Sequence, residues 1–243
     1  MESFEDTGIV LSAKPYEENA AILHVLTQAH GRHAGFVHGG RSSKKRALLE
    51  PGTVLNLNWR ARTADQLGTF QLELERSTHA RLMDDAGPLR ALIAACALMD
   101  TAVPERAPMP QLYAGTQAMM SALEGPAWAE SYVIWELAFL GEMGFALELD
   151  RCAGGGSSDD LAYISPKSGR AVSREKGGAY ADKLFDMPDF LKPGAQGGGD
   201  AAQIAKALAM TRYFIEHQLL IDTNRDVPAA RMALEAFFEG RAA

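Results

Sequence analysis

The sequence predicts an α+β fold: a five-stranded β-barrel over residues 1–80, then an α-helical domain over residues 81–243 that carries a small metal-free hairpin insert. Two observations lead there. Hydrophobic residues recur with a period of two through the first eighty positions, and the period turns helical from about Asp84. Turn-forming residues also cut the head of the chain into short runs, with no room for a long helix between them.

The alternation is cleanest in Thr69–Glu75, where Phe70, Leu72 and Leu74 share one face and Gln71, Glu73 and Glu75 the other. Thr53–Trp59 repeats it, with Leu55, Leu57 and Trp59 set against Asn56 and Asn58. Such patterns mark half-buried strands. Gly8–Ala13, Ala20–Thr27 and Arg32–Val37 supply three more, separated by Pro15 to Asn19, Gly31, Gly39-Gly40, Pro51-Gly52 and Asp65 to Gly68. An open sheet of such strands leaves unpaired edges, so closure into a barrel is the expected solution. Trp59 and Phe70 fall on the apolar side and are expected in the core. Phe36 is open between core packing and stacking on a base.

Beyond Asp84, Leu89, Leu92, Ile93, Cys96, Ala97 and Met99 suit one helix, capped by Asp84 or Asp85 and ended by Pro104 and Pro108. Leu112–Leu123 is a second helix. Trp128, Tyr132, Trp135, Phe139 and Met143 form an apolar stripe on a third, expected to pack in the core, with Gly144 as its terminator. Cys152–Asp160 and Pro193–Gly199 read as flexible stretches. Leu161–Ser165 and Arg170–Ser173 form a hairpin around Pro166 to Gly169. Asp200 caps a helix running to about Ile221, and a last helix opens at Pro228.

Several function classes are excluded by what the chain lacks. Its two cysteines, Cys96 and Cys152, form no CxxC pair, which points to a reducing compartment. The acidic start Met1–Asp6 has no apolar core of a signal peptide, and the longest apolar run is too short to span a bilayer. A soluble cytoplasmic protein with no membrane partner is expected. His24, His30, His33, His38 and His79 match no metal-ligand spacing. There is no GxSxG, and Asp159-Asp160 sits in a Gly/Ser-rich stretch unsuited to holding a catalytic dyad. The expectation is therefore no enzyme, no catalytic residue, no cofactor and no metal.

The net charge of −7 is unevenly spread: the first eighty residues hold nine basic and nine acidic side chains, so the rest of the chain carries the whole excess. Within that neutral head lies Gly39-Gly40-Arg41-Ser42-Ser43-Lys44-Lys45-Arg46. Arg41, Lys44, Lys45 and Arg46, with Arg32, Arg60 and Arg62 near them in a compact barrel, are candidate nucleic-acid contacts, because Lys and Arg neutralise phosphates and release counterions. A solvated loop of charges has the same composition, and residue types leave both readings open. The run lacks the second glycine and the Ser/Thr of a nucleotide-binding P-loop, so nucleotide hydrolysis is discounted.

A family resemblance now becomes visible. Gly-Ile-Val-Leu-Ser-Ala-Lys-Pro (8–15), Ala-Ile-Leu-His-Val-Leu-Thr-Gln-Ala-His-Gly (21–31), Gly39-Gly40-Arg41 and Leu-Glu-Pro-Gly (49–52) resemble RecO, the bacterial recombination mediator. Glu-Met-Gly-Phe (142–145) leading to Cys152, Arg212-Tyr213-Phe214 and Val-Pro-Ala-Ala-Arg (227–231) continue the likeness in the same order. The resemblance implies an N-terminal OB-fold and a helical C-terminal domain. It implies binding of single- and double-stranded DNA, annealing of complementary strands, and help in loading recombinase onto coated single strands. Implied partners are RecR and the acidic C-terminal tail of single-stranded-DNA-binding protein, with the tail in a groove near Leu112, Tyr113 and Trp135; the implied location is the cytoplasm, at the nucleoid. Several family members hold a four-cysteine zinc site; here Cys152 stands at its first place and no other thiol follows. The alternative class is a protein-interaction adaptor with weak DNA affinity, in keeping with the acidic body.

Overall fold

The computed structural model describes residues 1–63, 65–195 and 197–242, with Lys44 described for its backbone alone. Gln196, inside the Pro193–Gly199 stretch, and the Lys44 side chain lie outside the described residues. The chain divides into two compact units, Met1–Gly125 and Pro126–Ala243.

In the first unit the alternating runs become strands β1 (Glu2–Tyr16), β2 (Ala20–Thr27) and β3 (Gly31–His38), then a helical turn α1 (Ser43–Arg46), then β4 (Thr53–Ala61) and β5 (Thr69–Ser77). They close into a barrel of order β1-β2-β3-β5-β4, the OB-type arrangement that the resemblance implies. The long β1 makes closure possible. Its first half pairs antiparallel with β4, from Glu2↔Ala61 to Ile9↔Val54, and its second half with β2, from Gly8↔Thr27 to Tyr16↔Ala20. A register shift between Val10 and Ser12 bends the strand from one partner to the other. The seam is completed by a single parallel pairing, Phe36↔Thr69.

Val10, Leu23, Val25, Val37, Leu55, Leu57, Trp59 and Phe70 fill the barrel, as the alternation predicts for Trp59 and Phe70. Two glycines are fixed by these rings. A Cβ on Gly35 would lie 2.7 Å from the Phe70 ring. Gly68 has φ +69°, and a Cβ there would lie 2.4 Å from Trp59 Nε1, whose N–H donates to the Leu67 carbonyl at 2.9 Å.

Three helices join the barrel in this unit: α2 (Thr78–Leu82), α3 (Ala86–Ala102) and α4 (Pro110–Ala122). Asp85 caps α3, accepting from the Gly87 amide. The sequence expectation placed a domain boundary at residue 80, where the barrel ends; compactness places one after Gly125.

The second unit opens with α5 (Trp128–Glu142), ended by Gly144 at φ +92°. Strands β6 (Leu161–Ile164) and β7 (Ala171–Ser173) form the expected hairpin. A short helix α6 (Arg174–Gly177) follows, and a two-residue strand β8 (Phe185–Asp186) pairs with β6 as an unanticipated third strand. Helix α7 (Ala201–Phe214), capped by Asp200, changes into a π-helical turn over Ile215–Leu219, and α8 (Ala229–Ala242) is the last described element. The α5 stripe packs inward: Tyr132, Trp135 and Phe139 are all buried. Among the described residues no helix is long and apolar enough to cross a membrane.

An ion network ties α5, α7 and α8 together. Arg231 and Glu136 are both fully buried, with Arg231 Nε donating to Glu136 Oε1 at 2.6 Å and a terminal nitrogen to Oε2 at 3.0 Å. Tyr132 and Thr211 donate to the same carboxylate, and Arg231 also reaches Glu235 and the Leu208 carbonyl. Burial by itself would strip the guanidinium of its proton more easily. The adjoining Glu136 carboxylate outweighs that and raises its pKa further above the usual arginine value.

Candidate nucleic-acid interface

The outer face of the barrel has two electrostatic sides. On one, β1, β4 and β5 present Glu5, Thr7, Asn56, Asn58, Gln71 and Glu73 around a shallow depression. Its exposed carboxylates are Glu5 and Glu73. Asp6, opposite Leu57 on the inward side of β1, is nearly buried; burial would raise its pKa, but the His30 ring at 2.7 Å and the amides of Ala29 and Thr7 lower it on balance.

The other side carries the cations. The expected basic loop is an ordered helical turn. Gly39 enters it at φ +67°, and Ser42 caps it, accepting from the Lys45 amide while its hydroxyl donates to the Gly39 carbonyl at 2.7 Å. Arg41 is exposed and donates to the carbonyls of Glu17 and Glu18, both at 3.2 Å. Lys45 donates to the His38 carbonyl at 2.7 Å. These acceptors are neutral, so the bonds position both cations at the open end of the β1–β2–β3 face without cancelling their charge. Arg46 is exposed beside them and lines adjoining clefts with Arg41 and Glu50. Across the seam, Arg60 and Arg62 are exposed and border a shallow cleft with Phe36, Gln66, Leu67, Gly68 and Thr69. Arg60 is steadied by donating to Asn58 Oδ1 at 2.9 Å.

Arg32 is placed differently. It is 7% exposed, and its guanidinium donates to the Val103 carbonyl at 2.8 Å, Asp100 at 3.2 Å and Glu105 at 3.1 Å. Asp100 also accepts from Ser12 at 2.7 Å and meets the His24 ring at 2.6 Å. The end of α3 is thereby pinned to β1, β2 and β3, and Arg32 serves that joint rather than the solvent face. His33 points into the barrel against Phe4 and Trp59. Burial, then the charge of Arg106, lowers its pKa from 6.5 to about 4, which keeps it neutral.

Two residues that the sequence reading passed over complete the cationic face. Lys14 is exposed on the outer side of β1, and Tyr16, inside a segment read as a breaker, stands beside Phe36. The signal for both was their register: Lys14 lies opposite Ile22, and Ile22 opposite Phe36. Leu112, Tyr113 and Trp135, expected near a groove for an acidic tail, are all buried.

The residues around Cys152 do not fit a four-thiolate zinc site. Its Sγ lies 3.4 Å from Ser173 Oγ and accepts from the Ser173 amide at 3.2 Å. A Cβ on Gly156 would lie 2.2 Å from Ser173 Oγ, so that hydroxyl occupies the space a side chain there would need. Burial would raise the thiol's pKa; hydrogen bonds from Ser173 and the amides of Gly156 and Gly154 lower it to about 7. Among the described residues no group of three or more His, Cys, Asp or Glu is arranged to hold a metal ion.

Comparison with known proteins places this architecture. The family model for the N-terminal part of recombination protein O matches residues 1–77, and that for its C-terminal part matches residues 85–225. The DNA repair protein RecO of Rhodospirillum centenum is 48% identical over 228 residues, covering 93% of this chain and 90% of the relative. That of Rhodospirillum rubrum is 42% identical over 237 residues, covering 95% and 94%. That of Roseobacter denitrificans is 42% identical over 240 residues, covering 98% and 99%. Matched by both family models and by relatives along nearly its full length, the chain belongs to the RecO family of DNA repair proteins.

Proposed function

We propose that this RecO-family chain is a non-catalytic mediator of recombinational repair. It binds single- and double-stranded DNA, anneals complementary strands and helps load recombinase onto coated single strands. The residues that contact phosphate are Arg41, Lys44, Lys45, Arg46, Arg60 and Arg62, and Arg32 acts only by holding α3. It works in the cytoplasm at the nucleoid, alongside RecR and the acidic tail of single-stranded-DNA-binding protein; the family likeness supports these partners. The functional division follows the barrel, with residues 1–80 binding DNA and residues 81–243 forming the helical part.

The observation that carries the reading is the two-sided charge of the barrel. Carboxylates gather on the β1–β4–β5 side, while exposed cations stand on the β1–β2–β3 end and the adjoining seam. That polarity selects one face for a polyanion even though the whole chain is acidic. The test is the salt dependence of binding to labelled single-stranded DNA, for the wild type and for a variant with Arg41, Lys44, Lys45 and Arg46 changed to alanine. Each lost phosphate contact reduces the salt slope by roughly one. An adaptor with weak DNA affinity predicts unchanged binding and slope in the folded variant, and that result would refute the proposal.

A further inference from the structure

Large aromatic side chains are normally withdrawn from water. Tyr16 is 40% exposed, and its ring centroid lies 5.0 Å from that of the half-buried Phe36, tilted by 49°. Both rings stand on the outer face of the barrel. Tyr16 is opposite Ala20 on β2, and Ala20 is opposite His38 on β3, two residues beyond Phe36. Phe36 itself is opposite Ile22, so the two rings meet diagonally across β2, over the small Ala20.

What surrounds the pair identifies its ligand. On one flank, Arg41 sits on the carbonyls of Glu17 and Glu18, the residues directly after Tyr16, and Lys45 sits on the His38 carbonyl. On the other, Phe36 itself forms part of the cleft bordered by Arg60 and Arg62. An aromatic surface with cations on both flanks matches a strand whose charged backbone bridges the flanks while its flat apolar groups lie between them. In a duplex the bases are turned inward and stacked on each other, so only unpaired bases can use such a surface. The carboxylates of Glu17 and Glu18 in the same turn work against affinity and are the groups that the cations must outweigh.

We propose that Tyr16 and Phe36 form a stacking platform for unpaired nucleobases, which makes this face favour single strands over duplex. The inference rests on the reading of the barrel as DNA-binding and adds to it the part of the ligand recognised. Stacking on one aromatic side chain contributes enough that its removal weakens binding on the order of five- to a hundred-fold per base.

The test replaces Tyr16 and Phe36 with leucine, which keeps apolar cover on the strands and removes the stacking surface. Fluorescence anisotropy is measured with three probes of equal length: an oligothymidylate, a duplex, and an abasic single strand that has phosphates and no bases. The expected result is at least ten-fold weaker binding of the oligothymidylate by the variant. Duplex and abasic binding and the salt slope stay as in the wild type, because no cation is lost. Tyr16→Phe together with Phe36→Trp restores the oligothymidylate affinity. Unchanged oligothymidylate binding by the folded leucine variant, or an equal loss on all three probes, overturns the platform while leaving the cationic face intact. Failure of the wild type to bind any of the three overturns the DNA reading itself, and the platform with it.

Discussion

Changing Arg231 to methionine removes one charge of a fully buried pair and retains most of the apolar stem. Glu136 then keeps its hydrogen bonds from Tyr132 and Thr211 but loses two from the guanidinium, and the Leu208 carbonyl loses a donor. Breaking a buried pair from one side costs about 3–5 kcal/mol, because a charge is left without its counterion. Taking about 4 kcal/mol and a urea dependence of about 2 kcal/mol per molar, the midpoint of unfolding falls by about 2 M. Such a loss is a large part of the roughly 5–15 kcal/mol that holds a typical domain folded. Trp128 and Trp135 lie in the same unit as the network, so their fluorescence in a Trp59→Phe background reports its unfolding. The double variant Glu136→Met, Arg231→Met removes both charges and is expected to recover at least half of the loss. A single variant costing under about 1 kcal/mol, or a double variant as unstable as the sum of the two singles, would refute this account.

Two further outcomes follow from shifted titrations. His33 titrates at about 4 in the fold against 6.5 when unperturbed, so the unfolded chain takes up its proton first as pH falls. Its contribution is complete above pH 6.5 and is lost progressively toward pH 4, up to about 3 kcal/mol in total. The variant His33→Leu flattens that stretch of the stability–pH curve, and a curve of unchanged steepness would contradict the assignment. Cys152 is 9% exposed, and with its pKa near 7 it is expected to react slowly with a maleimide or an aromatic disulfide, its rate rising with a midpoint near neutrality. Cys96, buried and pushed up by burial to about 12, stays unreactive in the folded protein. Mass spectrometry of the labelled peptides distinguishes the two, and labelling of Cys96 before Cys152 would be the wrong order.

Strands β2, β4 and β5 were legible because their side chains alternate and their neighbours do not, and a period of two has one structural meaning. The first half of β1 was hidden by its own polarity. Ser3 and Glu5 lie opposite Arg60 and Asn58 of β4, and an acidic run without hydrophobic alternation does not read as a strand. Strand β8 is two residues long and exists only because β6 offers an edge, which no local pattern records. The cations of the candidate site were visible as residue types, but their placement was not. Arg32 and Arg41 differ in role because Asp100 and Glu105 reach one of them across sixty-eight and seventy-three residues of chain. Tyr16 was lost for a related reason: beside Pro15 it looked like punctuation, and only strand pairing sets it next to Phe36.

If the face binds DNA as proposed, the pin made by Asp100 also limits the path of the strand. Ser12, His24 and Arg32 all point outward from β1, β2 and β3, and all are held by one carboxylate at the end of α3. The helix end is thus a wall across one end of the face. From Ser12 to Tyr16 only four residues of strand remain, roughly 13 Å. A nucleic-acid strand cannot lie lengthwise along so short a floor. On the proposed DNA-binding reading, the strand runs crosswise, over the strand ends, between the Arg41 turn and Arg60, and the length of the track is set by how many strands it crosses.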